Sequence, residues 1–243
     1  MEIEGKTALV TGGGRRVGRA LALDLARAGA DVVVNYFRSA EAAEETAAEI
    51  VGLGRRAIAV HADVSLKPEV QRLVRRTAEA LGRLDIVVNN ASLFESAPFL
   101  AIDEDEWDRV LAVNLKGPFL ITQAATPLLR RDGGGVIVNI ADLSALRPWP
   151  SYAHHAVSKA GLVHLTRVAA RALGPDVRAN CIAPGTVLPP EGTGPDELRR
   201  SRERTALKRL GSPDEVARAL RYLVESDFVT GETVVVDGGR MLL

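Results

Sequence analysis

The sequence predicts an α/β fold: one domain built on a doubly wound parallel sheet of about seven strands, with helices on both faces. Three observations predict it. Short, β-branched apolar runs alternate with longer amphipathic stretches from one end of the chain to the other. Several of the runs are apolar throughout rather than alternating, as strands covered on both faces are. Small and polar residues gather where the runs end, the edge at which such sheets bind ligands. No linker, repeat or low-complexity segment divides the 243 residues, so the domain is expected to span 1–243.

The elements follow in order. Thr7–Val10 reads as the first strand, and the glycine turn Gly12-Gly13-Gly14-Arg15-Arg16-Val17-Gly18 leads into a helix with Val17, Leu21, Leu25 and Ala28 on one face. Asp31–Tyr36 is a second strand, and Ser39 is placed to cap an alanine- and glutamate-rich helix reaching Val51. Arg56–His61 is a third strand. Ser65 is expected to cap the next helix, with Pro68 and Glu69 in its first turn and Val70, Leu73, Val74 and Leu81 as its buried stripe. Asp85–Asn89 is a fourth strand, and Asp103 to about Arg131 is helical with a break near Gly117-Pro118. Val136–Ile140, a helix from about Tyr152 to Leu173, and Val177–Ala183 complete the alternation. Residues 186–210, rich in proline, glycine and charge, are expected as a surface insertion shaping the substrate pocket, with Pro189-Pro190 and Gly192–Pro195 as hinges of a lid. Ser212-Pro213-Asp214-Glu215 forms a capping box for a helix to Leu223, and Thr233–Asp237 closes the sheet.

Composition narrows the function. Lysine plus arginine equals aspartate plus glutamate at 31 each, so the basic excess of a nucleic-acid binder is missing and no nucleic-acid partner is expected. No apolar run has the length to cross a bilayer, and the N-terminus has no signal-peptide layout, so no membrane partner is expected. The single cysteine, Cys181, has no intrachain disulfide partner and reads as a packed thiol, which fits a cytoplasmic location. No metal site is expected: His154 and His155 are adjacent, so on a helix they point apart, and no Cys/Asp/Glu cluster completes them. His61 and His164 sit in apolar contexts and read as structural.

A strand, a glycine turn and a helix N-terminus together present backbone N–H groups to a phosphate. In this setting the turn points to a dinucleotide. A site for the 2′-hydroxyl form ends its second strand with a carboxylate; here the strand ends Asn35-Tyr36-Phe37, followed by Arg38-Ser39. A 2′-phosphate is dianionic and matches the planar fork of arginine. Arg38, with Arg15 or Arg16 across the turn, would supply the charge, and Ser39 a hydroxyl. NADPH is the expected cofactor.

At this point the chain resembles the short-chain dehydrogenase/reductase family over its whole length. The matching pieces are Thr11-Gly12, Val17-Gly18, Asp63-Val64, Asn89-Asn90-Ala91, Asn114 in Val113-Asn114-Leu115, Lys159 in Ser158-Lys159-Ala160-Gly161, Pro184-Gly185, Thr230-Gly231 and Asp237-Gly238-Gly239. Within the family it is most similar to pteridine and dihydromonapterin reductases. Arg16 replaces the middle glycine of the turn, Arg38-Ser39 follows the second strand, and Asn89-Asn90-Ala91-Ser92 ends in serine. Phe94 falls where those reductases place an aromatic that stacks on the pterin, and Asp142 replaces the family's catalytic serine. The resemblance implies a Rossmann-type fold and a cofactor site of Gly12, Arg15, Arg16, Val17, Gly18, Tyr36, Arg38, Ser39, Asp63, Val64, Asn90, Ala91, Ser92, Lys159, Pro184 and Gly185. For substrate it implies Arg16, Ser92, Phe94, Asp142 and His155; for catalysis, Asp142, His155, Lys159 and Asn114. It also implies a homotetramer assembled through helices spanning about 103–131 and 152–173 and through the C-terminal region.

The family pairs a tyrosine with a lysine one helical turn later, the ammonium lowering the phenol's pKa from about 10. Counting back from Lys159 reaches His155 instead, and counting forward from Asp142 reaches the same residue; Tyr152 lies one turn earlier. Three readings stand. His155 is the acid; or Asp142 donates and His155 orients it, which suits a basic C=N nitrogen; or the protein binds NADPH with little catalysis and acts by binding or assembly. The expected activity is NADPH-dependent reduction of a pteridine of the dihydrobiopterin, dihydromonapterin or dihydrofolate type. Carbonyl or 3-oxoacyl reduction is disfavoured by Asp142 and Phe94.

Overall fold

The computed structural model describes residues 1–189 and 192–243. Seven strands form one sheet in the order β3-β2-β1-β4-β5-β6-β7, all pairs parallel. They are β1 (Thr7–Val10), β2 (Asp31–Tyr36), β3 (Ala57–His61), β4 (Ile86–Asn89), β5 (Gly135–Ile140), β6 (Val177–Pro184) and β7 (Thr233–Val236). The helices are α1 (Arg16–Arg27), α2 (Ala40–Gly52), α3 (Lys67–Leu81), α4 (Glu104–Leu111), α5 (Gly117–Arg131), α6 (Ala153–Leu173), α7 (Pro195–Glu203) and α8 (Pro213–Glu225).

The pleat explains the apolar runs. Ala8, Val10, Val32, Val34, Ile86, Val88, Val136 and Val138 pack on one face, with Leu21 and Leu25 of α1 and Val216 and Leu220 of α8. Leu9, Val33, Val87 and Ile137 point to the other face, onto α3 and α5 through Leu73, Ile121 and Leu129. A strand buried on both sides has no polar half. Residue i and residue i+1 simply join different cores.

Some local expectations change. Ser65 does not cap α3: the helix starts at Lys67, with Leu66 as N-cap and no side-chain cap, because the Ser65 hydroxyl instead donates to Asp63 Oδ1 at 2.7 Å. Ser39 stands at the N-cap of α2 but makes no capping bond. The break expected at Gly117-Pro118 is a π-type turn at Ala112–Lys116 joining α4 to α5. Such turns recur at functional sites, and this one carries Asn114. The 186–210 segment contains the regular helix α7. Its Pro190 hinge lies outside the described residues. His61 and His164 are exposed, and His61 rests against the Tyr36 and Phe37 rings at 5.5 and 5.7 Å. Among the described residues no helix is long and apolar enough to cross a membrane.

Candidate active site

β1 is flanked by β2 on one side and β4 on the other, so the strand order reverses there and a crevice opens beyond the strand ends. The glycine turn lies in that crevice. Gly12 adopts φ +61°, and a Cβ on Gly18 would collide with the Gly12 carbonyl oxygen and stand 2.5 Å from Asn90 Nδ2. That amide ties the two loops together, donating to the carbonyls of Thr11 (2.9 Å) and Gly12 (3.1 Å). Thr11 Oγ1 accepts from the Asn90 and Ala91 N–H groups in turn.

The first turn of a helix leaves N–H groups without intrahelical partners. Among the described residues, Arg15 at the N-cap of α1 makes no side-chain cap bond, and no acidic residue stands in the first turn. The positive end of the helix is left for an anion. The cradle fits a dinucleotide pyrophosphate, with Val17 half-buried beside it. Across the crevice, Arg38 is exposed with its guanidinium 5.7 Å from the Phe37 ring centre. Tyr36 is half-buried, and Ser39, which makes no side-chain capping bond, follows. No carboxylate side chain ends β2.

Arg16 takes a different direction from Arg38. It sits at φ +52°, a left-handed conformation costing a non-glycine residue roughly 1–2 kcal/mol. That backbone sends its guanidinium to the carbonyls of Leu188 (2.7 Å) and Pro189 (3.2 Å). The side chain therefore links the phosphate turn to the segment following β6. Further along the crevice, Asp63 Oδ1 is occupied by Ser65 N–H and Oγ–H, and Val64 is buried against the start of α5 at Gly117. Pro184 ends β6, and a Cβ on Gly185 would stand 2.9 Å from Asp237 Cα.

The anomalous histidine is buried, 1% exposed. Its Nε2 lies 2.5 Å from Asp142 Oδ2 and its Nδ1 2.9 Å from the Leu93 carbonyl. Asn114 also places its amide nitrogen 3.3 Å from Nδ1, with the donor and acceptor roles there set by the imidazole tautomer. Its two amide hydrogens are directed to Leu93 O (3.0 Å) and Ser158 Oγ (3.1 Å), and its Oδ1 accepts from Leu93 N–H (2.8 Å) and Ser92 Oγ (3.2 Å). A carbonyl only accepts, so Nδ1 carries a proton. The Nε2–Oδ2 contact is then the one across which imidazole and carboxyl can share a proton.

Asp142 Oδ1 is held by the Ser144 N–H (2.7 Å) and hydroxyl (2.5 Å). Burial pushes the Asp142 carboxyl up most strongly, but the His155 hydrogen bond and the Lys159 charge together bring it below the ordinary carboxylate range. Lys159 is buried and donates to the Ile140 carbonyl at 2.8 Å. Burial lowers its pKa, and the Asp142 charge opposes that shift. Sequence reasoning brought Asp142, His155, Lys159 and Asn114 together, as the structure does. It missed Leu93 and Ser144, because one acts through its backbone and the other is an ordinary serine after a strand.

Phe94 is half-exposed, stacks on Tyr152 at 4.6 Å and meets His155 edge-on at 4.8 Å. Beyond them a cleft of 710 Å³ opens among Trp149, Tyr152, Thr186 and Arg204. The expectation of no carboxylate cluster beside the paired histidines is corrected. Glu95, Glu106 and His154 converge with ligand atoms within 4.8 Å of one another. They come from three separate elements, which spacing along the chain does not reveal.

Known proteins resemble this chain along its length. A family model described as enoyl-(acyl carrier protein) reductase matches residues 13–240. A 3-oxoacyl-[acyl-carrier-protein] reductase of Synechocystis is 35% identical, the match covering 98% of this chain and 97% of the relative. An L-rhamnose 1-dehydrogenase (NAD(P)(+)) of Sphingomonas is 39% identical over 98% and 96%. The crystal structure of a short chain dehydrogenase from Burkholderia cenocepacia in complex with NADP superposes with a TM-score of 0.92 at 38% identity, covering 99% of this chain and all of that one.

Proposed function

The chain belongs to the short-chain dehydrogenase/reductase family, and on that premise we propose that it is an NADPH-dependent reductase of a pteridine-type C=N bond. The observation that carries the reading is the acid: a carboxyl in hydrogen-bond contact with a buried imidazole, beside a half-exposed aromatic ring. A ring nitrogen of a dihydropterin is itself basic and demands less of its acid than a ketone does. The related NADP complex supports the cofactor choice, as do the exposed Arg15 and Arg38.

The turn from Gly12 to Gly18 and the open end of α1 would hold the pyrophosphate, and Arg38 with Ser39 the 2′-phosphate. Tyr36, Asp63, Val64, Asn90, Ala91 and Ser92 would line the adenosine half. Lys159, Pro184 and Gly185 would line the nicotinamide half. When bound, the cofactor supplies hydride; the proton falls to side chains. The side chain of Asp142 is 21% exposed and that of His155 2%, so the carboxyl is the group that reaches substrate. The shared proton passes from Nε2 to Oδ2 and from the carboxyl to the substrate nitrogen, leaving a neutral imidazole and a carboxylate facing the Lys159 charge. Asn114, by holding Leu93 in place, fixes the Nδ1 proton and so the direction in which Nε2 points. Phe94 and Tyr152 would offer the flat ring a stacking surface, and Arg16 would hold residues 188–189 against the turn.

A second reading, 3-oxoacyl reduction, is favoured by the Synechocystis relative. NADPH oxidation with 7,8-dihydrobiopterin and with an acetoacetyl thioester separates the two: turnover of the pterin is expected, and turnover of the thioester alone overturns the pteridine reading. Tight NADPH binding with neither substrate turned over would point to a binding protein. Homotetramer assembly is supported by the exposed Phe119, Val157 and Val168 on α5 and α6, and its check is the solution mass.

A further inference from the structure

The loop after β4 crosses the first turns of α4 and α6, and three side chains meet there. Glu95 comes from the loop, Glu106 from α4 and His154 from α6. His154 is fully buried, and neither ring nitrogen has a hydrogen-bond partner among the described residues. Buried imidazoles almost always satisfy at least one nitrogen. The nearest candidate, Glu106 Oε1, lies 3.3 Å from Nε2 but without the alignment of a hydrogen bond. That separation has another meaning. Two ligands about 2.0–2.1 Å from a tetrahedral ion stand about 3.3 Å apart.

We propose that Glu95, Glu106 and His154 bind one divalent transition-metal ion, zinc fitting best, with water as the fourth ligand. One imidazole and two carboxylates suit zinc, whereas magnesium and calcium prefer all-oxygen shells of six or more. Glu95 is already gripped by Arg109 through two bonds of 2.7 Å. A carboxylate oxygen keeps a second lone pair, so Arg109 can fix the carboxylate plane while the ion takes the free side, as outer-shell partners do elsewhere. The Arg109 guanidinium and the Arg38 charge that also acts on Glu95 oppose the cation; Glu95 and Glu106 offset them, and Glu104 and Asp105 in the same turn of α4 leave the field negative.

The ion would staple the 92–95 loop to the start of α6. That loop carries the Leu93 carbonyl that fixes His155 and the ring of Phe94. The role is structural, and it holds whatever the substrate is. The test uses the full chain, stripped with EDTA and titrated calorimetrically with Zn²⁺; Co²⁺ then reports the coordination geometry by its absorption spectrum. One ion per chain is expected. Glu106→Gln and Glu95→Gln, both at partly exposed positions, should each weaken binding by at least about tenfold, the loss seen even for outer-shell partners, with the circular dichroism unchanged. His154→Gln should abolish it. Failure of the parent protein to bind zinc stoichiometrically overturns the proposal. So does an affinity that survives both glutamate changes, which would place the ion elsewhere.

Discussion

If Asp142 and His155 act as one acid, removing either should cost as much as removing both. His155→Phe keeps the ring and its contact with Phe94 but deletes both nitrogens. The shared proton is lost, and Asp142, still facing Lys159, stays ionised. General acid catalysis contributes about 10²–10⁴-fold, so the chemical step should slow by that factor, a barrier increase of about 2.7–5.5 kcal/mol. Asp142→Asn should slow it similarly, since its amide cannot pass on the proton. The double variant should be no worse than either single one, as for groups acting as a unit. The structure limits collateral damage. Leu93 O retains the Asn114 amide, and Asp142 retains both Ser144 bonds and some solvent access. The stability cost of His155→Phe should therefore stay near about 1–3 kcal/mol, the scale of orphaning a buried acceptor. Single-turnover loss of NADPH absorbance measures the rates, and denaturant unfolding measures stability. Additive losses would refute the shared-proton mechanism, and so would a His155→Phe rate within a few-fold of the parent. His155→Tyr, placing the family's phenol one turn before Lys159, should preserve or raise turnover.

Three further predictions are independent of the acid. Gly18→Ala puts a methyl into the Gly12 carbonyl and the Asn90 amide, so NADPH affinity should fall at least about tenfold in a fluorescence titration while the melting temperature drops only modestly. Arg38→Asp should reverse cofactor preference, raising the KM for NADPH by about tenfold or more and lowering that for NADH, because it exchanges a cation facing a 2′-phosphate for a 2′-hydroxyl acceptor. Asp31 is buried at the start of β2, and although burial pushes its carboxyl up, the bonds from Arg56 N–H and Nε outweigh it and hold the pKa below the ordinary value. Its contribution is complete at neutral pH and is lost as pH falls through the ordinary aspartate value of about 3.9 and below it. Asp31→Asn should therefore narrow the stability difference between pH 7 and pH 3 in denaturant melts.

The fold was legible because a parallel sheet writes itself in runs such as Leu9-Val10 and Ile86-Val87-Val88, whose successive residues serve opposite cores. Helix starts were less so. Ser65 has the right chemistry for a cap, but Asp63 competes for its hydroxyl, and only the folded loop decides. In the site, Asp142, His155 and Lys159 were legible through the resemblance to the short-chain family, whose motif positions they occupy on one strand end and one helix. The Leu93 carbonyl, the Ser144 clamp and the His154 cluster were not, since backbone groups have no residue signature and residues 95, 106 and 154 meet only through packing.

Arg16 shows how a single departure from a glycine pattern can reorganise a pocket. At φ +52° the position is one where glycine would cost least, yet the arginine accepts the strain and makes two bonds to the carbonyls of Leu188 and Pro189. A neutral side chain there would release the segment after β6 from the phosphate turn. Arg16→Gly should therefore relieve local strain and raise stability slightly while loosening the substrate side. The expected signature is a KM for pterin increased several-fold with NADPH affinity nearly unchanged. Isothermal binding of NADPH beside steady-state kinetics separates these effects. If NADPH affinity fell with KM for pterin constant, Arg16 would belong to the phosphate site alone and its bonds to residues 188 and 189 would be incidental.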